Sequence, residues 1–145
     1  MFAQFLNRLI SPNPQRLDAP DVQLALASIL VRLARADGEY EQCEIDRIDR
    51  ILRVRFELSP FEASELRTQA ETVEANAPDT VRFTRAIKDA VSLEDRIAII
   101  KAMWEVVLAD GNRDEEEDAQ MRLMSNLLGI NDRDSALARQ QVETK

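Results

Sequence analysis

The chain has 145 residues, 45% of them apolar and 32% charged, with three glycines, five prolines and a formal charge of −8. A domain of that length buries about 68–70% of its unfolded surface, so it can support its own core, and the composition is that of a globular helical protein. The excess acid argues against sequence-independent nucleic-acid binding and against anionic membranes, while the absence of histidine and the single Cys43 remove an internal disulfide and the ordinary zinc, haem and copper ligand sets.

Without histidine, a serine or cysteine nucleophile lacks its usual base, and only carboxylate or lysine chemistry is left to an enzyme. The chain therefore reads as non-enzymatic. No stretch approaches the roughly 20 apolar residues of a membrane span, and the start lacks the pattern of a signal peptide, so a cytoplasmic location is expected.

Residues 1–10 place Phe2, Phe5, Leu6 and Leu9 on one helical face and predict a short docking helix. That face covers the domain's own core, with a peripheral membrane or partner surface as the alternative. Residues 11–19 form a linker around Pro12 and Pro14, neither of which continues a helix.

The first helix starts near Pro20, carries Val22, Leu26, Ile29, Leu30 and Leu33, and stops at Gly38. Ile45, Ile48, Ile51, Leu52 and Phe56 mark the second. Ser59-Pro60-Phe61-Glu62 supplies an N-cap, a proline at the first helical position and a capping-box acid for the third, which runs to about Ala75.

A fourth helix with Val81, Ile87 and Val91 follows Pro78 and Asp79. Its Arg82, Arg85 and Lys88 form a basic stripe, read as a solvated face, with a contact to an acidic loop or partner as the alternative. Ser92 and Asp95 open a fifth helix that stops at Gly111. Met121, Met124, Leu127 and Leu128 define a sixth, Gly129 ends it, and Asn131 caps a seventh to about Gln140. Met103 and Trp104, like Met121 and Met124, have core spacing. The expectation is an all-α bundle of about seven helices, with residues 20–77 a first repeat, 78–91 a connecting helix and 92–145 a second repeat.

The repeat appears at an offset of 73, which lays Ala36-Asp37-Gly38 on Ala109-Asp110-Gly111 and Glu44 on Glu117 without a gap. Core positions repeat in the same register: Leu33 falls on Val106, Ile48 on Met121 and Ile51 on Met124. After a slip of one residue, Leu58-Ser59 falls on Ile130-Asn131.

Charge is concentrated in the same places. Asp37 to Asp49 holds six acids and one base, and Asp110 to Asp118 again holds six acids and one base, which leaves +2 for everything else. Part of this follows from helix physics, because acids in a first turn gain about 0.3–1 kcal/mol from the macrodipole. Glu41, Glu44, Glu115, Glu116 and Glu117 qualify, and Asp114 with Glu117 has cap spacing. Asp37 and Asp110 do not, since each is placed at the end of a helix, where the exposed carbonyls make the potential negative. A bound cation would compensate both.

Oxygen-bearing side chains alternate through each loop, at Asp37, Glu39, Glu41 and Glu44 and at Asp110, Asn112, Asp114 and Glu117. Glu44 and Glu117 lie one turn before the core positions Ile48 and Met121, which directs them inward. Ligands of oxygen alone suit Ca2+ first, then Mg2+ or Mn2+. The second loop shares the Asp-x-Asn-x-Asp opening of an EF-hand but lacks its sixth-position glycine and twelfth-position glutamate, so it is not one.

Two Ala-Asp-Gly loops, each followed by a glutamate seven residues after the aspartate and then by an apolar helix, with Leu-Ser and Ile-Asn at the next helix starts, resemble the TerB-like tellurite-resistance family over about residues 22–142. The resemblance implies a compact bundle with an acidic, metal-associated surface, working with partner proteins of a stress-response system rather than performing a known reaction. It carries over Asp37, Glu44, Asp110 and Glu117. The competing role for the acidic face is a metal-free protein-interaction module, and a metal-assisted hydrolase ranks below both.

Overall fold

Caps and glycines set the helix limits, and several act through side chains seen in the computed structural model, which describes residues 5–6, 19–36, 40–108 and 115–143. Among these residues there are seven long helices and no strand: α1 (Ala19–Arg35), α2 (Gln42–Phe56), α3 (Pro60–Asn76), α4 (Thr80–Ala90), α5 (Leu93–Leu108), α6 (Glu115–Leu127) and α7 (Asp132–Glu143). Ser59 and Glu62 form the predicted reciprocal capping box at α3, Asp79 caps α4 through the Arg82 amide, Ser92 accepts from the Asp95 amide, and Asn131 accepts from the Asp134 amide. Each satisfies a backbone donor that the first helical turn leaves without a partner.

The core is a single cluster built mainly from the inner stripes of α1 and α5. Leu26, Ile29, Leu30 and Leu33 are buried as their spacing predicts, and so are Ile48, Ile51, Leu52, Met103, Trp104, Met121 and Met124. Phe5 is 1% exposed and Leu6 packs against the same cluster, so these two residues face the domain's own core. The rest of the predicted 1–10 helix, nearly all of the 11–19 linker and the stops at Gly38 and Gly111 lie outside the described residues. No described helix is long and apolar enough to cross a membrane.

One stripe differs from expectation. Val81 is 44% exposed, while Phe83, Thr84, Ala86, Ile87 and Ala90 are buried. The 83, 87, 90 spacing keeps Phe83 and Ile87 on the inward face, and Val81 falls about 160° around the helix from Phe83, toward solvent.

The backbone repeats with the sequence. The offset of 73 lays the end of α1, Arg35, on the end of α5, Leu108, and the start of α2, Gln42, on the start of α6, Glu115; after the slip, Pro60 at the start of α3 falls on Asp132 at the start of α7. The closest packing is also repeated, α1 on α3 and α5 on α7, with α1 and α5 meeting between them.

Both second helices close in the left-handed conformation, at Glu57 (φ 54°) and Gly129 (φ 77°). The next amide then bonds back across the turn, Leu58 to Arg53 at 2.9 Å and Ile130 to Ser125 at 2.8 Å, the 6→1 bond of a Schellman ending. Glycine adopts that conformation freely and glutamate does not. Glu57→Gly is therefore expected to stabilise the chain by about 1 kcal/mol in urea unfolding. Gly129→Ala is expected to destabilise it by about 1–2 kcal/mol, because alanine is strained at φ 77° and its Cβ would also displace the side-chain ends Arg96 Nη1, at 2.7 Å, and Lys88 Cε, at 2.9 Å.

Candidate functional site

The start of the first acidic segment is held by residues anchored on α3. At its entry Arg32 and Arg35, in the last turn of α1, both bind Glu74: Arg32 Nη2 lies 3.0 Å from Oε2 and Arg35 Nη1 2.9 Å from Oε1. Arg32 also donates to the Pro78 carbonyl at 2.8 Å and stacks 5.0 Å over the Phe83 ring. Just inside it Tyr40 donates to Glu71 at 2.6 Å and lies under Arg35 at 5.0 Å. Burial first, then the Glu71 hydrogen bond and charge, push the Tyr40 phenol well above its ordinary range, so it stays a donor.

Within the segment, Asp49 is taken by Arg67, whose Nε lies 2.7 Å from Oδ1 and whose Nη1 reaches Glu71 at 3.1 Å. The hydrogen bond to Asp49 is the main reason the Arg67 guanidinium holds its proton still more firmly than usual, against the opposing effect of burial. Asp46 accepts from the Gln42 amide at 2.8 Å. Neither Glu41 nor Asp46 forms an ion pair among the described residues.

Glu41 occupies the N-cap position of α2 in extended backbone, and its carbonyl accepts from the amides of Glu44 and Ile45. Its side chain makes no capping hydrogen bond. Its carboxylate thus stands at the positive end of the helix without capping it, exposed and 3.8 Å from the exposed Cys43 thiol. Glu44 is the third residue of α2, one turn before the buried Ile48. It is part-buried, with Oε2 out of contact with solvent, as the inward periodicity predicts.

Of the other predicted ligands, Asp37, Glu39, Asp110, Asn112 and Asp114 lie outside the described residues, as does the Glu117 side chain. The backbone of Glu117 stands third in α6, the position Glu44 holds in α2. Among the described residues no three carboxylate or cysteine side chains gather closely enough to hold a metal ion.

The charge at the helix ends also differs from expectation. α1 and α5 end at Arg35 and Leu108, before Asp37 and Asp110, and arginines already serve both C-termini. At α1 they are Arg32 and Arg35 themselves. α5 has no base in its last turn, and there α2 supplies two: Arg47 donates to the Val106 carbonyl at 3.3 Å and Arg55 pairs with Glu105 at 2.5 Å. Arg47 belongs to the first acidic segment and Val106 lies two residues before the end of the helix leading to the second, so this bond ties the flanks of the two segments together. Arginines thus supply positive charge at both of these helix ends.

The family model described as tellurite resistance protein TerB matches residues 23–140. The chain belongs to the TerB family. Comparison with curated proteins returns no match, and comparison with solved structures returns none. In this TerB-family chain the anchoring network on α3 is what sequence patterning missed. The four-residue spacing of Arg67 and Glu71 was its one local signal, since the Arg32, Arg35 and Tyr40 partners lie 31 to 42 residues away.

Proposed function

We propose that this chain serves in tellurite and stress resistance as a non-enzymatic protein that binds a divalent cation through its two acidic segments, Ca2+ ahead of Mg2+ or Mn2+. The observation that carries this is Glu41, a carboxylate at a capping position that does no capping, with Glu44 one turn away and directed inward. Two carboxylates on one turn supply part of an oxygen shell of six to eight ligands, and Asp37 and Glu39 are the residues that would extend it. Asp110, Asn112, Asp114 and Glu117 would do the same in the second segment. Bound there, the ion would supply positive charge to segments that carry five net negative charges each.

Calorimetric titration with Ca2+, together with thermal unfolding, tests this. Wild type is expected to release heat and to gain about 2.7 kcal/mol of stability when the ion is at 100 times its dissociation constant. The Glu41→Gln, Glu44→Gln pair and the Asp37→Asn, Asp110→Asn pair should each reduce both signals. Neither heat nor stabilisation at about 10 mM metal would overturn the proposal and leave the metal-free role, in which the acidic face recruits a basic protein partner.

A further inference from the structure

Laying one repeat on the other at the same sequence offset exposes a substitution that replaces the acid of a structural ion pair with a second arginine. In the first repeat Arg67 has three acceptors: Asp49 at 2.7 Å, Glu71 at 3.1 Å and the Ser64 hydroxyl at 3.2 Å. Arg139 is its counterpart in the second repeat. There Asp49 is replaced by Arg122 and Ser64 by Ala136, while Glu143, the counterpart of Glu71, lies 3.4 Å from Arg139 Nε and is itself 46% exposed.

Arg139 thus keeps the position of Arg67 and loses two of its three acceptors. Its buried Nε has only the long 3.4 Å ion pair with Glu143 and no hydrogen bond, and its guanidinium lies 5.8 Å over the ring of Trp104, where the first repeat has Val31. A buried charged donor answered by so long a contact is poorly satisfied, and that is costly.

The surrounding space fits. Between α6 and α7 lies an open cleft of about 210 Å3 lined by Trp104, Asp118, Arg122, Asp132, Ser135 and Arg139. The matching cleft between α2 and α3 has Asp49, Pro60 and Ala63 at the positions of Arg122, Asp132 and Ser135. Arg122 is exposed and forms no ion pair among the described residues. Two aspartates balance the two arginines, so recognition depends on the planar donor forks of the guanidiniums and not on a field of positive charge.

We propose that the α6–α7 cleft binds a small oxyanion, a phosphate or a carboxylate, on Arg122 and Arg139, with Trp104 as its wall. The ligand supplies the acceptor that Asp49 supplies in the first repeat. The cleft shares Asp118 with the end of the second acidic segment, but it uses none of the residues proposed to hold a cation and does not depend on their binding one.

Trp104 is the chain's single tryptophan, so its fluorescence reports on the cleft directly. Titration with inorganic phosphate, and separately with succinate, at ionic strength held constant with sodium chloride is expected to give a saturable change with a dissociation constant of about 1–10 mM. The anion that binds more tightly identifies the ligand class. Arg122→Gln and Arg139→Gln should each weaken binding about tenfold or more, while Arg53→Gln in the first-repeat cleft should not. Arg122→Asp recreates the first-repeat pair and should abolish binding while raising the melting temperature. If circular dichroism shows Arg139→Gln unfolded, the exposed Arg122→Gln decides the question. The proposal is overturned if folded wild type shows neither a saturable fluorescence change nor calorimetric heat with either anion, or if Arg122→Gln binds as wild type does.

Discussion

Phe83→Ala is expected to destabilise the fold by about 3–5 kcal/mol, measured by thermal or urea unfolding. Phe83 has no exposed surface and is among the largest fully buried side chains. Truncation removes its transfer free energy and leaves a cavity that neighbouring helices fill only in part. The ring also carries Arg32 at 5.0 Å, and that arginine binds Glu74 and Pro78. Losing the ring therefore loosens the join of α4 to α1 and to the C-terminal end of α3 as well as opening a hole. Val81→Ala, two residues away on the exposed side, is expected to change stability by less than about 0.5 kcal/mol. If the two variants unfold alike, the inward face of α4 is not the one described.

That contrast shows where sequence patterning stops being informative. Caps at Ser59, Ser92 and Asn131 and the terminal Gly129 are local devices, in which the residue that ends the helix also carries the signal, so they are legible. The long stripes of α1 and α2 are legible because enough apolar residues recur to fix one face. α4 has only 11 residues, and apolar side chains at 81, 83, 86, 87, 90 and 91 permit more than one stripe. Tertiary packing chooses between them, and sequence periodicity does not contain that choice.

The candidate site divides in the same way. Concentrated charge marked both acidic segments, and the turn-by-turn relation of Glu44 to Ile48 gave its inward direction. Asp49 belongs to the first segment by charge, yet its carboxylate is occupied by Arg67 from α3. Counting acids along the chain cannot separate an aspartate held by a distant arginine from one that remains open to a ligand. The arginines at the C-terminus of α5 come from α2, 50 and 59 residues away in sequence, so the two loops by themselves carry no sign of them.

Glu74→Ala carries the second large effect, an expected loss of about 2–3 kcal/mol. Its side chain is 13% exposed and meets Arg32, 14% exposed, and Arg35, 34% exposed. Removing the carboxylate leaves two guanidiniums at the end of α1 without their shared anion, one of them largely screened from water. The full cost of breaking a buried pair is about 3–5 kcal/mol, and the exposure of Arg35 reduces it here. Glu74→Gln keeps the size and acceptor oxygen of the side chain and should recover part of the loss. The comparison is Glu143→Ala, which breaks the 3.4 Å pair with Arg139 on a side chain that is 46% exposed and should cost about 0–1 kcal/mol. Because Glu74 holds both arginines before the first acidic segment, its loss should also free Arg35 to approach Asp37 and Glu39. Ca2+ affinity measured in Glu74→Ala should then fall, whereas Glu143→Ala should leave it unchanged. A large loss of stability with unaltered Ca2+ affinity would make the α3 anchor purely structural and uncouple it from the acidic segment.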